Sequence, residues 1–186
     1  MARSILWAND FPPVTSGITT FFVNIWKNLP SDRVLVIAPT VPGGDAVDDE
    51  LPFPVRRVKL PVGESGPAKA IKTLLTIVYC FLLGLFQRPS RNHCGQVFSS
   101  GIAGCLCSKV LGIPYIVYVY GSETVRLGTG GLASWLMRRV LIDCELVVAN
   151  SEYTTDEFVN YGIPRDHIRV ILPRRRLILI SPKATD

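Results

Sequence analysis

The sequence predicts an α/β fold, a Rossmann-like parallel sheet with helices on both faces. Three observations carry that expectation. Short apolar runs recur along the chain, as strands covered on both faces require. Stretches of helical periodicity alternate with them. The β-to-α loops are made of small and polar residues, which implies right-handed βαβ units. The 186 residues suffice for one domain with a sizeable core.

The first unit sets the pattern. Ile5 to Ala8 is an apolar run, Asn9 and Asp10 end it, and Pro12-Pro13 forbid its continuation. After Gly17, Ile18, Phe21, Phe22, Ile25 and Leu29 recur at helical spacing. A strand whose carboxyl end feeds a glycine-bearing loop and a helix start is a ligand-binding corner, and free N–H groups at a helix start favour phosphate. Val34 to Ala38 is the next doubly buried strand, Pro39 to Pro54 a surface loop, and Val55 to Leu60 an exposed strand near a sheet edge.

Ala68 to about Gln87 is the longest apolar helix. Its core, Leu74 to Phe86, falls short of the roughly 18–20 residues a membrane span needs. Apolar residues run nearly all round it, which predicts a buried helix; Lys69, Lys72, Arg88 and Arg91 at its ends would also suit an anionic membrane surface. Pro89 to Gly95 breaks it. Gln96 to Phe98 reads as a short strand running into the loop Ser99-Ser100-Gly101, and a helix follows, with Gly112 as its stop. Tyr115 to Tyr120 is all β-branched or aromatic, the strongest strand in the chain. Thr124 to Gly131 reads as a mobile Gly-rich loop before a helix over 132–141. Glu145 to Ala149 is one more buried strand, Ser151 caps a helix reaching Tyr161, and His167 to Leu172 is the last strand.

Four strand ends carry functional-looking residues: Asp10 to Gly17, Ser99 to Gly101, Tyr120 to Glu123, and Asn150 to Glu152. In a parallel sheet all four lie along one rim, which is the sequence-level argument for a site. Each also has a plainer reading, Ser151 as a cap, Gly121 as a turn, Glu123 as a solvated carboxylate.

Other chemistries find little support. Gly128 to Ala133 is the nearest approach to a dinucleotide fingerprint but does not follow a strand directly. No Walker A and no Gly-x-Ser-x-Gly elbow occur. His93, in a polar turn, and His167 are expected away from the rim in structural or solvated roles. The five scattered cysteines suit buried thiols, and no cluster has metal-ligand spacing. A net charge of +5 without an aromatic-interleaved basic patch argues against nucleic acid. The start is too short for a signal peptide and lacks a cleavage site.

Asp10-Phe11-Pro12-Pro13, the pair Ser16-Gly17 with its helix, Tyr120-Gly121-Ser122-Glu123 and Ser151-Glu152-Tyr153-Thr154 resemble, in that order, the amino-terminal half of glycosyltransferase family 4. The likeness runs from about Arg3 to Pro173 and is closest to the branch of the phosphatidylinositol mannosyltransferase-like enzymes. It implies a GT-B architecture, two Rossmann-like domains facing across a cleft. It also implies retaining transfer from a nucleotide-sugar co-substrate to a glycan or lipid acceptor, with no metal and no further cofactor. The resemblance makes Asp10, Tyr120, Gly121, Ser122, Glu123, Ser151 and Glu152 the acceptor-binding residues, and Ser16 and Gly17 the backbone contact to the donor diphosphate. Tyr120 takes the catalytic-site position where the family often has histidine; a tyrosine hydrogen-bonds but is a poor acid or base near neutral pH.

The same resemblance implies a cytoplasmic enzyme of cell-envelope or polysaccharide biosynthesis, and the Ala68–Gln87 helix adds the expectation of peripheral contact with the inner face of the membrane. Residues 1–173 form the acceptor-side domain. The basic and apolar tail 174–186 departs from the family, which continues into a donor-binding domain. That departure carries the expectation of a truncated or frameshifted reading frame, inactive alone. The alternative is a non-catalytic partner module working with a separate donor-binding chain; another kind of Rossmann-like enzyme is less well supported.

Overall fold

The structure is a computed structural model describing residues 3–61, 66–128 and 130–172, so the tail 174–186 lies outside the described residues. The strands are β1 (Ser4–Trp7), β2 (Val34–Pro39), β3 (Val55–Val58), β4 (Arg91–Cys94), β5 (Tyr115–Val119), β6 (Leu146–Ala149) and β7 (Ile168–Val170). The helices are α1 (Gly17–Trp26), α2 (Gly44–Asp48), α3 (Gly66–Gln87), α4 (Ile102–Leu111), α5 (Thr124–Gly128), α6 (Gly131–Asp143) and α7 (Glu152–Asn160).

These strands form one sheet in the order β3-β2-β1-β4-β5-β6-β7, every pair parallel. The expected Rossmann-like α/β fold is therefore present. The chain builds outward from β1 to β3, crosses back through α3, and builds outward again from β4. Strand order thus reverses between β1 and β4, whose register pairs Leu6 with His93 and Trp7 with Cys94.

The alternation of side chains divides the core into two layers. On one face Leu6, Val36, Tyr118 and Val148 pack with Phe21, Phe22 and Trp26 of α1. On the other, Trp7 and Ile37 meet Cys80 of α3 and Cys107 of α4. Further along that face Val117 and Val147 meet Met137 and Val140 of α6 and Phe158 of α7. All five cysteines are free thiols, four buried and Cys105 half-buried. A hydrogen bond with Cys107, reinforced by burial, holds the Cys80 thiol well above its ordinary range.

Several expectations are corrected. The fourth strand is Arg91–Cys94, within the segment read as a turn, while Val97–Gly101 is a π-helical turn leading into α4. Polar composition hid this strand, and two of its polar side chains find partners across the sheet, while Asn92 Nδ2 is buried without one among the described residues. Both Arg91 Nε and Nη2 donate to Glu145 at 2.7 Å, and His93 Nδ1 lies 3.0 Å from the Tyr118 hydroxyl. His93 is therefore a half-buried strand residue, its ring 5.2 Å from that of Trp26, and not a turn residue. Burial, with the Arg91 charge, lowers its pKa from 6.5 to about 4.

A second correction concerns α3, which is not a buried helix. Thr76, Cys80 and Gly84 face inward, while Leu74 (60% exposed) and Phe86 (78% exposed) face outward. The small residues are inside because α4 comes close: a Cβ on Gly84 would stand 3.0 Å from Leu111 and 3.2 Å from Ile113. Apolar composition all round a helix says nothing about which face is covered, so that pattern misled.

The remaining corrections are short helices within expected loops. α2 interrupts the 39–54 loop, and α5 occupies the segment read as mobile. The start of α5 is held by Thr124, whose hydroxyl donates to the Gly121 carbonyl at 2.7 Å; at its end the Ser134 hydroxyl of α6 donates to Leu127 O at 2.7 Å.

Candidate functional site

The reversal of strand order opens a crevice at the carboxyl ends of β1 and β4, because β1 leads to α1 on one face and β4 to α4 on the other. Close contact between these strand ends depends on Gly95. Its N–H donates to Trp7 O at 2.9 Å, and a Cβ there would stand 2.7 Å from that same oxygen. The π-helical turn follows at once, closed by Gly101 N donating to Gln96 O at 2.8 Å and by Ser100 Oγ donating to the same carbonyl at 3.1 Å. This tight turn seats Gln96 and Ser99 opposite Asn9. Asn9 Nδ2 donates to Gln96 Oε1 and, at 3.0 Å, to Ser99 Oγ, which itself donates to Gln96 Oε1 at 3.1 Å.

Over this polar trio lies a cleft of about 790 Å³. Asn9, Asp10, Gln96 and Ser99 line it with donors and acceptors, and Lys72 of α3 adds a cation. Leu74, Ile77, Ile102 and Leu136 make the rest apolar. An open concave site with a few convergent polar groups on an apolar wall suits a small molecule bearing hydroxyl groups.

Asp10 begins the loop to α1, and that loop is braced from the sheet edge. Arg57 of β3 donates to Asp48 of α2 through Nε (2.8 Å) and Nη2 (2.6 Å), to Pro39 O at 3.0 Å, and to Pro12 O. The guanidinium is only 8% exposed and also lies 5.9 Å from the Phe11 ring centre. At the loop's end Ser16 is the N-cap of α1, its hydroxyl accepting from Thr19 N–H at 3.1 Å. The N–H groups of Gly17 and Ile18 have no intrahelical carbonyl to reach. A Cβ on Gly17 would meet nothing within 4 Å, so the fold itself leaves room for a side chain there.

Tyr120 leaves β5 with its ring edge-on to Phe21 and Phe22, both at 6.3 Å between centres. Its hydroxyl is buried and, among the described residues, has no hydrogen-bond partner. Burial, then the proximity of Tyr118, Glu123 and Asp10, pushes its pKa far up, so the phenol stays protonated and can only donate or accept a hydrogen bond. Gly121 follows at φ +98°, a left-handed conformation that explains the glycine. Glu123 turns back on its own loop: one carboxylate oxygen accepts from Tyr120 N–H at 3.2 Å and lies 3.5 Å from Ser122 Oγ.

The β6 end is occupied by its own helix. Ser151 caps α7, its hydroxyl accepting from Thr154 N–H at 3.1 Å, and Glu152 is paired with Arg165 at 3.0 Å on the surface. The structure thus places Asp10 on the cleft, while Glu123 folds back onto the Tyr120 N–H. Of the expected donor- and acceptor-binding residues only Asp10 lines the cleft; Ser16, Gly17, Tyr120, Gly121, Ser122, Glu123, Ser151 and Glu152 do not. Sequence reasoning overlooked Gln96 and Lys72 as lining residues and Arg57 as the brace. A glutamine directly after a glycine at a strand end was the available signal for the first; nothing local marks Arg57. Among the described residues no group of three or more His, Cys, Asp or Glu could hold a metal ion.

A model of Glycosyltransferase Family 4 matches residues 15–173. A comparison with curated protein sequences finds no match. Among solved structures, Anabaena Alr3699/HepE in complex with UDP-glucose is similar with a TM-score of 0.66 and 14% identity, over 93% of this chain and 44% of that one. The UDP-GlcNAc 2-epimerase of Neisseria meningitidis, bound to UDP-GlcNAc, has a TM-score of 0.60 and 15% identity, over 90% and 45% of the two chains. The UDP-GlcNAc 2-epimerase of Methanocaldococcus jannaschii has a TM-score of 0.59 and 15% identity, over 92% and 45%. At such identities the likeness is one of fold, and the chain spans less than half the length of these proteins.

Proposed function

The chain belongs to glycosyltransferase family 4, and from that premise we propose that it is the acceptor-side domain of a retaining enzyme moving a sugar from a nucleotide-sugar to a glycan or lipid acceptor. The observation that carries this reading is the cleft at the β1/β4 crevice, with Asn9, Asp10, Gln96 and Ser99 converging on an apolar wall. In this reading Asp10 and the neutral Tyr120 hydroxyl bind acceptor hydroxyls. Gly121, Ser122 and Glu123 shape that edge, and Ser151 and Glu152 form its far end.

Ser16 and Gly17 face the donor. Ser16 holds the first turn of α1, and the free N–H groups behind Gly17 stabilise the negative charge that grows on a departing diphosphate. The open space at Gly17 fits this role, because a glycine that its own fold does not require suits the approach of an external group. UDP in HepE and UDP-GlcNAc in the Neisseria epimerase make a nucleotide-sugar the natural donor class to test. The transfer calls for a donor-binding domain facing the same rim, and the branch resembling phosphatidylinositol mannosyltransferases is the proposed place within the family.

The test uses the purified chain with UDP-glucose, alone and with a donor-binding domain of a family member added in trans. UDP release is expected only with the added domain. Gly17→Ala is expected to abolish it while leaving the melting temperature unchanged or slightly raised. Robust turnover by the chain alone, or a Gly17→Ala variant as active as the parent, sinks the proposal. Co-purification with a separate donor-binding polypeptide, without turnover, would favour a partner module instead.

A further inference from the structure

We propose that Cys80 and Cys107 form a reversible disulfide that staples α3 to α4, two helices that wall the cleft. Their Sγ atoms lie 3.8 Å apart, and among the described residues no other two of the five thiols are in sulfur contact. A disulfide sets its sulfurs about 2 Å apart, so each has only about 1 Å to travel. A glycine brings the helices this close. Gly84 stands one turn after Cys80, and a Cβ there would lie 3.5 Å from Cys107 Sγ and 3.0 Å from Leu111. Cys107 therefore sits over the step between Cys80 and Gly84, where α3 has no bulk to hold α4 away. Two other buried thiols are engaged elsewhere. Cys144 donates to Leu141 O at 3.2 Å, and Cys94 packs on Gly104, where a Cβ would stand 2.6 Å from its sulfur.

The two thiols are not equivalent. With the Cys80 S–H donating to Cys107, the Cys80 pKa goes up and that of Cys107 goes down. Cys107 ionises first, and Cys80 is the partner that resolves. The oxidant is hydrogen peroxide. The Cys107 thiolate attacks one peroxide oxygen and the O–O bond breaks; the departing hydroxide takes the proton that Cys107 released, leaving water and a sulfenic acid. Cys80 sulfur then attacks Cys107 sulfur and the S–O bond breaks. The second hydroxide leaves with the Cys80 proton, again as water. Two thiols lose two electrons and two protons, and the peroxide gains them. Cys80 is 1% and Cys107 0% exposed, so the reaction waits on local opening between α3 and α4 and is slow.

The link acts on the cleft. Ile77, one turn before Cys80, and Ile102, at the start of α4, both belong to its apolar wall. The 27-residue separation of the cysteines also takes in β4 and the turn that bears Gln96 and Ser99. Oxidation therefore fixes the spacing of the wall and ties down the segment carrying two of the polar groups.

The full chain, reduced and then treated with hydrogen peroxide near pH 8, is digested without reductant for tandem mass spectrometry. The expected product is a peptide pair joined through Cys80 and Cys107, lighter than the free peptides by about 2 Da, the two hydrogens removed. Closing a loop of 27 residues is expected to raise the melting temperature by about 10 °C, and dithiothreitol should return it to the parent value. Amide exchange across residues 88–101 should slow in the linked form. Cys80→Ala and Cys107→Ala are each expected to abolish the rise, and Cys105→Ala, at the half-buried thiol, to leave it. The digest of the parent needs no variant, so a misfolded alanine form leaves the test intact. Three results overturn the proposal: Cys80 and Cys107 still unlinked once Cys105 is oxidised, Cys107 linked to Cys94 instead, or a linked chain that melts no higher than the reduced one. None of these readouts requires turnover, so they stand apart from the test of glycosyl transfer.

Discussion

Replacing Tyr120 by phenylalanine removes one oxygen atom, and the structure fixes the sign of the effect on stability. The hydroxyl is buried without a partner among the described residues. A buried polar group left unpaired costs roughly 1–3 kcal/mol. The ring contacts with Phe21 and Phe22 survive in the variant, since they involve only the aromatic edge and face. Tyr120→Phe should therefore be more stable than the parent by about 1 kcal/mol, which for a domain of this size raises the melting temperature by about 2–4 °C. Scanning calorimetry on the two proteins measures it. If the hydroxyl serves an acceptor, the same variant should bind that acceptor about fivefold more weakly, the worth of one neutral hydrogen bond. A gain in stability with a loss in binding is the signature of a group kept for a ligand. A variant less stable than the parent by 1 kcal/mol or more refutes the reasoning, because it means that the hydroxyl has a partner within the folded chain.

Acid should weaken the fold through His93. Its pKa falls from 6.5 to about 4 on folding, so between those values the unfolded chain takes up the proton and the native state refuses it. Stability then rises with pH across that window and is lost on acidification, by about 3 kcal/mol in full. His93→Asn should flatten the slope between pH 4 and 6.5 in urea titrations; an unchanged slope would assign it elsewhere. Arg57→Ala removes a nearly buried partner of Asp48 and the tie to Pro12, and should cost about 3 kcal/mol in denaturant midpoint experiments. A loss below 1 kcal/mol would show that the brace is dispensable.

Strands made only of apolar residues were legible because burial on both faces leaves nothing else for such a run to do. Val34 to Ala38 and Tyr115 to Val119 are of that kind. β4 was illegible for the opposite reason: Arg91, Asn92 and His93 look like a turn until Glu145 and Tyr118 stand beside them, and both partners come from distant sequence. The rim followed from topology alone, since every β-to-α loop of a parallel sheet emerges at one end. What remained hidden was which rim residues are free. Asp10 and Glu123 are both acids at strand ends, yet only Glu123 is spent on its own loop, a fact set by the backbone conformation after Gly121.

That distinction divides the rim in function. At the β6 end the Ser151 hydroxyl accepts from Thr154 N–H, and the Glu152 carboxylate is taken by Arg165. At the β1 end Asp10 borders the cleft, and the nearby Tyr120 hydroxyl is unpaired among the described residues. Ligand recognition should therefore concentrate at β1 and fade toward β6. Ser151→Ala should lose about 1 kcal/mol of stability, the ordinary worth of an N-cap, with little effect on acceptor binding. Asp10→Asn should do the reverse, leaving the melt unchanged and weakening a hydroxyl-bearing acceptor by about tenfold, as expected for a hydrogen bond to a charged group. Titration of both variants with one acceptor, followed by isothermal calorimetry, separates the two roles. If Ser151→Ala weakens binding as much as Asp10→Asn does, the site extends along the whole rim and the concentration at β1 is wrong.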